Sequence, residues 1–592
     1  MKRTLAIAAV VALAACGPKS MFKLSADENN RYALEETLKK RKLPDQPSPI
    51  NVARQPRVFL VEKNQTIVAF DLAANKPMWK QAADLQSRIC VGGDFVVEVE
   101  GKSLVARDQL SGAVRWKEGI DGTFVGASAD RDRAYLVSAE GGVHWISALS
   151  GSSGKVLWKL DASGKLGSPV AQGGLLYVPF LDQWLAILDG QTGEQYTRLR
   201  GTDETISMLR ATSQTVYYGS KKGVFRLDAR SASGSREQST YGTVKIPPQL
   251  ERATYGRDIY DPVQAKYSAF DRARVLYAAA ANEGGPMVLQ NDGYAIHYFR
   301  YVLGYRKDGT LSWAYAHPRV ELVASEHLST VLAGVSTTGE VVAIDPTSGA
   351  IRARITAGSG AQVTGATFDA DGWSPTGETA AVETVTALVS IARDRDARFD
   401  GMKELAVQEL AKLPGETVTT ELLGILADHN ANLRLKDTVV GLLVNRKDPA
   451  SLLVLAQQLD VHPDFLTKTD NDAVAPVAKA IAGLAGIKLE AKHVDAALAG
   501  LTWHLESASS GIPELVQIID AMHAIGNGAE RPALDSHLLL YHADDELAAD
   551  ASWSKAIVTA LRDGGPAERE VLRQVAADPR TKRALVDAIV SP

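Results

Sequence analysis

The chain has 592 residues, 45% of them hydrophobic and 23% charged, with a formal net charge of −5. That length exceeds one ordinary domain, and the composition is enough for each part to bury its own core. The mildly acidic balance argues against a nucleic-acid binder or a strongly basic lipid-binding surface.

In chain order, Lys2 and Arg3 precede an apolar run from Leu5 to Ala15 that ends at Cys16. A basic start and so short a run predict an export signal, not a permanent membrane span. The tetrapeptide Leu13-Ala14-Ala15-Cys16 resembles a bacterial lipobox, which implies removal of residues 1–15 and acylation of Cys16. By the same resemblance, Gly17 in second place favours sorting to the outer membrane. Acyl chains, each methylene contributing ~0.8 kcal/mol on burial, would then hold the protein at a membrane surface. Residues 16–56 form the tether. Ser25-Ala26-Asp27-Glu28 predicts a capped, charged helix to about Lys42, and Pro44 to Pro56 reads as extended. With Cys16 acylated, Cys90 is the one thiol left, so no intrachain disulfide can form; Ile89-Cys90-Val91 predicts a small buried strand residue.

Within a domain read as residues 57–372, residues 57–355 repeat one pattern: an apolar strand, an Asp, a Ser/Thr-Gly turn, then often a Trp. The clearest copies run from Asp71 to Trp79 and from Asp108 to Trp116. Weaker ones carry Asp189 with Thr192-Gly193, Asp228 with Ser233-Gly234, and Asp345 with Ser348-Gly349. Two more run from Ser150 to Trp158 and from Tyr305 to Trp313, the latter with Tyr305 at the Asp position. Asp71 and Asp108 lie 37 residues apart, whereas Asp228 and Tyr305 lie 77 apart. Asp accepts turn N–H groups, Gly supplies a positive φ, and Trp covers the neighbouring sheet. A four-stranded sheet cannot bury both faces alone, and radial stacking into a β-propeller solves that. Seven blades result, or eight if the doubled interval hides another. The first unit lacks an opening strand, which residues 362–368 are placed to supply.

These copies resemble the pyrroloquinoline-quinone-type propeller repeat, A-x-D-x-x-T-G-x-x-x-W. The resemblance implies fold more than activity. A quinoprotein dehydrogenase would need calcium and quinone in the funnel, a carboxylate base and, in many members, adjacent cysteines. No adjacent cysteines occur here. Trp79, Trp116, Trp158 and Trp313 match the blade-packing position, not a cofactor floor. No cofactor, metal or catalytic residue is therefore assigned. His537 and His542 are spaced for different faces of a helix, and Asp369-Ala370-Asp371-Gly372 and Asp470-Asn471-Asp472 read as turns, not calcium loops. The stretch Asn282-Glu283-Gly284-Gly285-Pro286 also reads as a turn. The doubled interval holds the candidate interaction loop, residues 237–271, with Tyr241, Tyr255, Tyr260 and Tyr267. Tyr enrichment in a long insert favours a partner surface.

From residue 373 to 592 helical periodicity takes over. Met402, Leu405, Ala406, Leu410 and Leu413 trace one face, as do Leu515, Ile518, Ile519 and Met522. Asn445, Gly486, Gly526 and Gly564 recur as helix-ending signals at intervals of 41, 40 and 38. Helix pairs at that period resemble HEAT repeats and predict an α-solenoid. The whole reads as multidomain β + α, a lipidated propeller followed by a solenoid. Lipobox and cofactor-free repeats together are similar to the accessory lipoprotein of the outer-membrane β-barrel assembly machine. That resemblance implies a non-catalytic scaffold on the periplasmic face of the outer membrane, binding envelope proteins through inter-blade loops. The helical extension departs from that family, which ends with the propeller. The alternative is a quinone-dependent dehydrogenase or small-molecule binder using the funnel.

Overall fold

The computed structural model describes residues 55–227 and 283–592, apart from short stretches of which 201–205, 212–215, 289–292, 376–382 and 460–473 are the longest. The described residues fall into two units that divide between Thr384 and Val385. The first is built of antiparallel sheets, arranged like those of a propeller. Sheet one holds β1 (Arg57–Glu62), β2 (Thr66–Asp71) and β3 (Lys76–Ala82), and sheet two β4 (Cys90–Val91), β5 (Phe95–Glu100), β6 (Ser103–Asp108) and β7 (Val114–Gly119). Sheet three holds β8 (Thr123–Ala129), β9 (Arg133–Glu140), β10 (Val143–Ser150) and β11 (Val156–Ala162). Sheet four holds β12 (Val170–Gln172), β13 (Leu175–Phe180), β14 (Trp184–Asp189) and β15 (Gln195–Arg200). Sheet five shows β16 (Met208–Ala211), β17 (Val216–Ser220) and β18 (Gly223–Leu227). Sheet six has β19 (Glu283–Val288), β20 (Gly293–Tyr298), β21 (Tyr301–Arg306) and β22 (Leu311–Ala316). Sheet seven has β23 (Leu322–His327), β24 (Leu332–Ser336), β25 (Glu340–Ile344) and β26 (Ile351–Thr356).

The last strand, β27 (Val363–Asp369), does not start another sheet. It returns to sheet one and pairs antiparallel with β1, Val58 opposite Phe368 and Leu60 opposite Ala366. The opening strand missing from the first repeat is thus supplied from the end of the last. First strands of successive sheets touch in the order β23, β27, β4, β8, β12, β16. Sheets six and seven join through the His297 Nδ1 contact to Ser325 Oγ at 2.8 Å.

The core of this unit lies between sheets. Phe59, Trp79 and Ile89 pack with Val96 between sheets one and two, and Tyr135, Ile146, Leu176 and Leu188 pack between sheets three and four. Central strands such as β1 and β13 are buried along their whole length, because both faces meet a neighbour. Fourth strands differ. In β3 only Trp79 is buried, and the polar, Lys-bearing remainder keeps an outer edge from pairing with other chains. One expected turn is a strand: residues 283–288 form β19, paired with β20 across a register shift between Glu283 and Pro286. Gly-Gly-Pro is tolerated there because that irregularity interrupts the ladder.

The second unit is helical, with twelve helices among the described residues. They are α1 (Thr384–Ala392), α2 (Asp400–Lys412), α3 (Glu416–Leu426), α4 (Leu433–Arg446), α5 (Ser451–Gln458) and α6 (Val474–Ala482). There follow α7 (Ala491–Leu505), α8 (Ile512–Gly526), α9 (Arg531–Tyr541), α10 (Ala551–Arg562), α11 (Pro566–Ala577) and α12 (Arg583–Val590). Packing runs in two rows. In one row α2, α4, α6, α8, α10 and α12 each touch the next; in the other α3 touches α5, α5 touches α7, and α9 touches α11. Met402, Leu405, Ala406 and Leu410 are buried, as their spacing predicts, and so are Leu515, Ile518, Ile519 and Met522. The stop signals sit a residue or two from the actual breaks: Lys447 and Asn527, not Asn445 and Gly526, take the left-handed conformation, while Gly486 carries φ +76° itself. Arg446 donates to the carbonyls of Ala411 and Leu413, satisfying the otherwise orphaned end of α2.

Candidate functional site

The repeats that carry Asp at the turn build the same small device at one rim. Asp71 Oδ1 accepts the N–H groups of Ala73 and Ala74, Asp189 those of Gln191 and Thr192, and Asp345 those of Thr347 and Ser348. Glycine follows with positive φ at Gly112, Gly154, Gly193 and Gly349. The tryptophan then reaches forward into the next sheet. Trp79 Nε1 donates to Gln109 O at 2.9 Å, Trp116 to Gly151 O at 2.8 Å, Trp158 to Gly190 O at 3.1 Å and Trp313 to Pro346 O at 3.0 Å. Its ring also lies against that sheet's glycine: a Cβ on Gly112 would stand 2.7 Å from Trp79, and one on Gly193 2.9 Å from Trp158. The glycine is therefore required twice over, by φ and by close approach. Trp over the neighbouring sheet was legible in the sequence; the Nε1 bond and the packing on that sheet's glycine were not, although Asp108, Asp189 and Asp345 each precede their glycine by four residues.

One repeat is placed differently from its expected alignment. Trp79, Trp116 and Trp158 pair across the ladder with Ala69, Ala106 and Ala148, each two residues before the Asp position. Trp313 pairs with Gly304, which puts Arg306, not Tyr305, at that position. The turn there is one residue shorter, with Arg306 N bonded to Thr310 O, and Tyr305 is a buried strand residue.

The turns and the first-to-second-strand connections meet at this rim, through Gln109 N to Asp94 O and Gly151 N to Asp132 O. Over sheets two and three they enclose an open cavity of about 880 Å³, lined among others by Asp94, Leu110, Arg115, Arg131 and Leu157. Arg115 joins Asp94 at 2.9 Å and Asp108 at 2.6 Å. Burial works against ionisation of Asp108, yet Arg115, Ser111 and the turn N–H groups hold its carboxyl down at about 2. Leu110 and Leu157 are 61% and 52% exposed.

Behind this rim, between sheets one and two, Glu98 is fully buried. Its Oε1 accepts from Arg107 Nε at 2.6 Å, and Arg107 also pairs with Glu100. Among the described residues Glu98 Oε2 has no partner. Burial pushes the Glu98 carboxyl up to about 8 against the pull of Arg107. Composition gave no hint of it, because Glu at a strand position reads as solvent-facing.

Of the site residues read from the sequence, Cys16, Tyr241, Tyr255, Tyr260 and Tyr267 lie outside the described residues, as do Asp228 and Asp470-Asn471-Asp472. Cys90 is buried at the start of β4 and donates to Ala127 O at 3.3 Å; burial pushes its thiol up. His537 packs on Tyr541 and Trp553, while His542 meets Asp578 at 3.2 Å. No helix among the described residues is long and apolar enough to cross a membrane.

A family model described as outer membrane protein assembly factor BamB matches residues 63–249. Among solved structures, the chain is similar to BamB from Moraxella catarrhalis at 15% identity, over 52% of this chain and 89% of that one, with a TM-score of 0.33. It is also similar to the computationally designed Ika8 protein at 11% identity, over 52% and 90%, with a TM-score of 0.34. No curated protein sequence matches the chain.

Proposed function

We propose that this protein is a non-catalytic scaffold of the bacterial envelope. Acylated Cys16 holds it on the periplasmic face of the outer membrane, and it assists the assembly of outer-membrane proteins. The observation that carries this reading is the match of residues 63–249 to the assembly-factor family. In this account residues 57–372 form a seven-bladed propeller whose first blade is completed by β27, and residues 373–592 form a HEAT-like solenoid. The return of β27 to β1 supports the first, and the two-row helix packing supports the second. Both architectures present surface to partners rather than carry chemistry of their own. Tyr241, Tyr255, Tyr260 and Tyr267 provide one further partner surface in the insert.

Two experiments test the reading. Purified chain mixed with calcium and pyrroloquinoline quinone is expected to gain no cofactor absorbance and to oxidise neither alcohols nor sugars; activity would restore the dehydrogenase alternative. The Cys16→Ala chain is expected to appear in the soluble envelope fraction or as unprocessed precursor. Unchanged, tight membrane attachment would show that something other than acylation holds the protein.

A further inference from the structure

Sheets one, two, three and six each carry a tryptophan on the fourth strand that covers the next sheet. Sheet seven does not. Ala353 stands at that place in β26, opposite Ala343. So small a side chain leaves the apolar groups of the join with sheet one short of cover. Trp373, from just beyond β27, supplies it. Its side chain is 7% exposed in a core with Val58 and Phe70 of sheet one and Val335 and Ala343 of sheet seven. Leu328 and Val331, from the turn between β23 and β24, belong to the same core. The backbone is seated on that turn as well. Gly372 N donates to Leu328 O at 3.0 Å, Trp373 N donates to Ala370 O at 2.9 Å, and Thr330 Oγ1 donates to Trp373 O. Gly372 takes φ +76°, which glycine adopts at little steric cost.

We infer, independently of the scaffold reading above, that residues 370–373 are a latch on this join. With Trp373 seated, β27 stays on β1; with Trp373 withdrawn, the strand leaves and the join between sheets seven and one opens. β27 is the end strand of its sheet and is bonded within it to β1 alone. Its start is tied by Lys63 N to Gln362 O at 2.7 Å and by Val363 N to Thr337 O at 2.8 Å. Its later part is tied by Thr367 Oγ1 to Ile89 O at 2.9 Å, and Arg57 approaches Asp369 at 3.8 Å. Past Asp369 the seating of Trp373 holds the chain down, and the same chain runs on to α1. A pull on the chain after Trp373 therefore meets the latch before it meets β27. An end strand whose terminus is unfastened opens locally at a free energy well below that of global unfolding.

Amide hydrogen exchange of the full chain in detergent, resolved by peptide fragment, tests the latch. Trp373→Ala is expected to speed exchange over residues 363–369 by about tenfold and to leave residues 133–150, in sheet three, unchanged. Trp373→Phe, which keeps an aromatic face, should restore most of the protection. Thr330→Val keeps the indole and loses one bond, and should speed the same residues by about threefold. Unaltered exchange over 363–369 in Trp373→Ala would overturn the inference. So would acceleration shared equally by sheet three, because Trp373 would then serve stability at large and not this join. If Trp373→Ala does not fold, Thr330→Val decides by the same two criteria.

Discussion

At the scale of single residues, Glu98 makes the sharpest statement. Its carboxyl has an ordinary value of 4.5 but titrates near 8 in the folded chain, so folding takes up a proton between those limits. Stability from this group is therefore full below about 4.5, falls as pH rises from there to about 8, and changes no further above that. Glu98→Gln keeps the contact with Arg107 without the buried charge. The variant is expected to melt a few degrees above wild type at pH 9 and to show a flatter fall in Tm from pH 6 to pH 9. Parallel curves for the two proteins would contradict this. The neighbouring charges that matter are Arg107 and Glu100 on the same sheet. Such a group was illegible in the sequence, because Val97 to Glu100 alternates as a half-exposed strand would, while the structure covers both faces. Cys90, by contrast, was readable as a buried small residue, since apolar neighbours flank it on both sides.

Among the elements, the tryptophan clasp and the seam divide the work of joining sheets. Gly193→Ala places a Cβ against Trp158 at a residue with φ +74° and is expected to cost about 1–3 kcal/mol. Part of that cost should vanish when Trp158→Ala is added, giving a coupling of about 1 kcal/mol in urea denaturation; strict additivity would deny the contact. Between sheets seven and one the ladder position of the clasp holds no tryptophan, and Trp373, from beyond β27, packs in the core that the two sheets share. Ala353 occupies that ladder position opposite Ala343, and Asn75 takes the left-handed conformation in sheet one's turn. Instead Glu62 accepts from Ser359 N at 3.0 Å and Ser359 Oγ at 2.6 Å and faces Lys80 at 3.3 Å. Glu62→Ala is expected to lower stability by about 2 kcal/mol by leaving those donors unmatched, with an unchanged denaturation midpoint as the opposing result. The repeat made the turns, the glycines and the closing strand legible, since Asp, Gly and Trp each act within a few residues. The shortened turn at Arg306 was not legible, because register across a ladder is set by the partner strand and not by local spacing. Helix boundaries failed in the same way by a residue or two, where Lys447 and Asn527 take the left-handed conformation in place of Asn445 and Gly526.

For the whole molecule, two architectures follow each other in one chain, sheets that stack about an arc and helices that stack in two rows. Their periodicities, two and 3.6, are what made the division visible in composition-neutral sequence. What the molecule does was much less legible, because folds of both kinds host many functions and the deciding contacts are at rims and loops. Deleting residues 237–271 is expected to weaken partner capture while leaving thermal unfolding almost unaltered; collapse of the fold would assign those residues a structural role. Everything in the scaffold reading converges on the proteins that sit against this one in the envelope. The direct measurement is cross-linking of the full chain in living cells, followed by mass-spectrometric identification of what is joined to it. The account predicts outer-membrane assembly proteins among the joined species, with their yield reduced by loss of residues 237–271. A wild-type chain that joins to no such protein would contradict it.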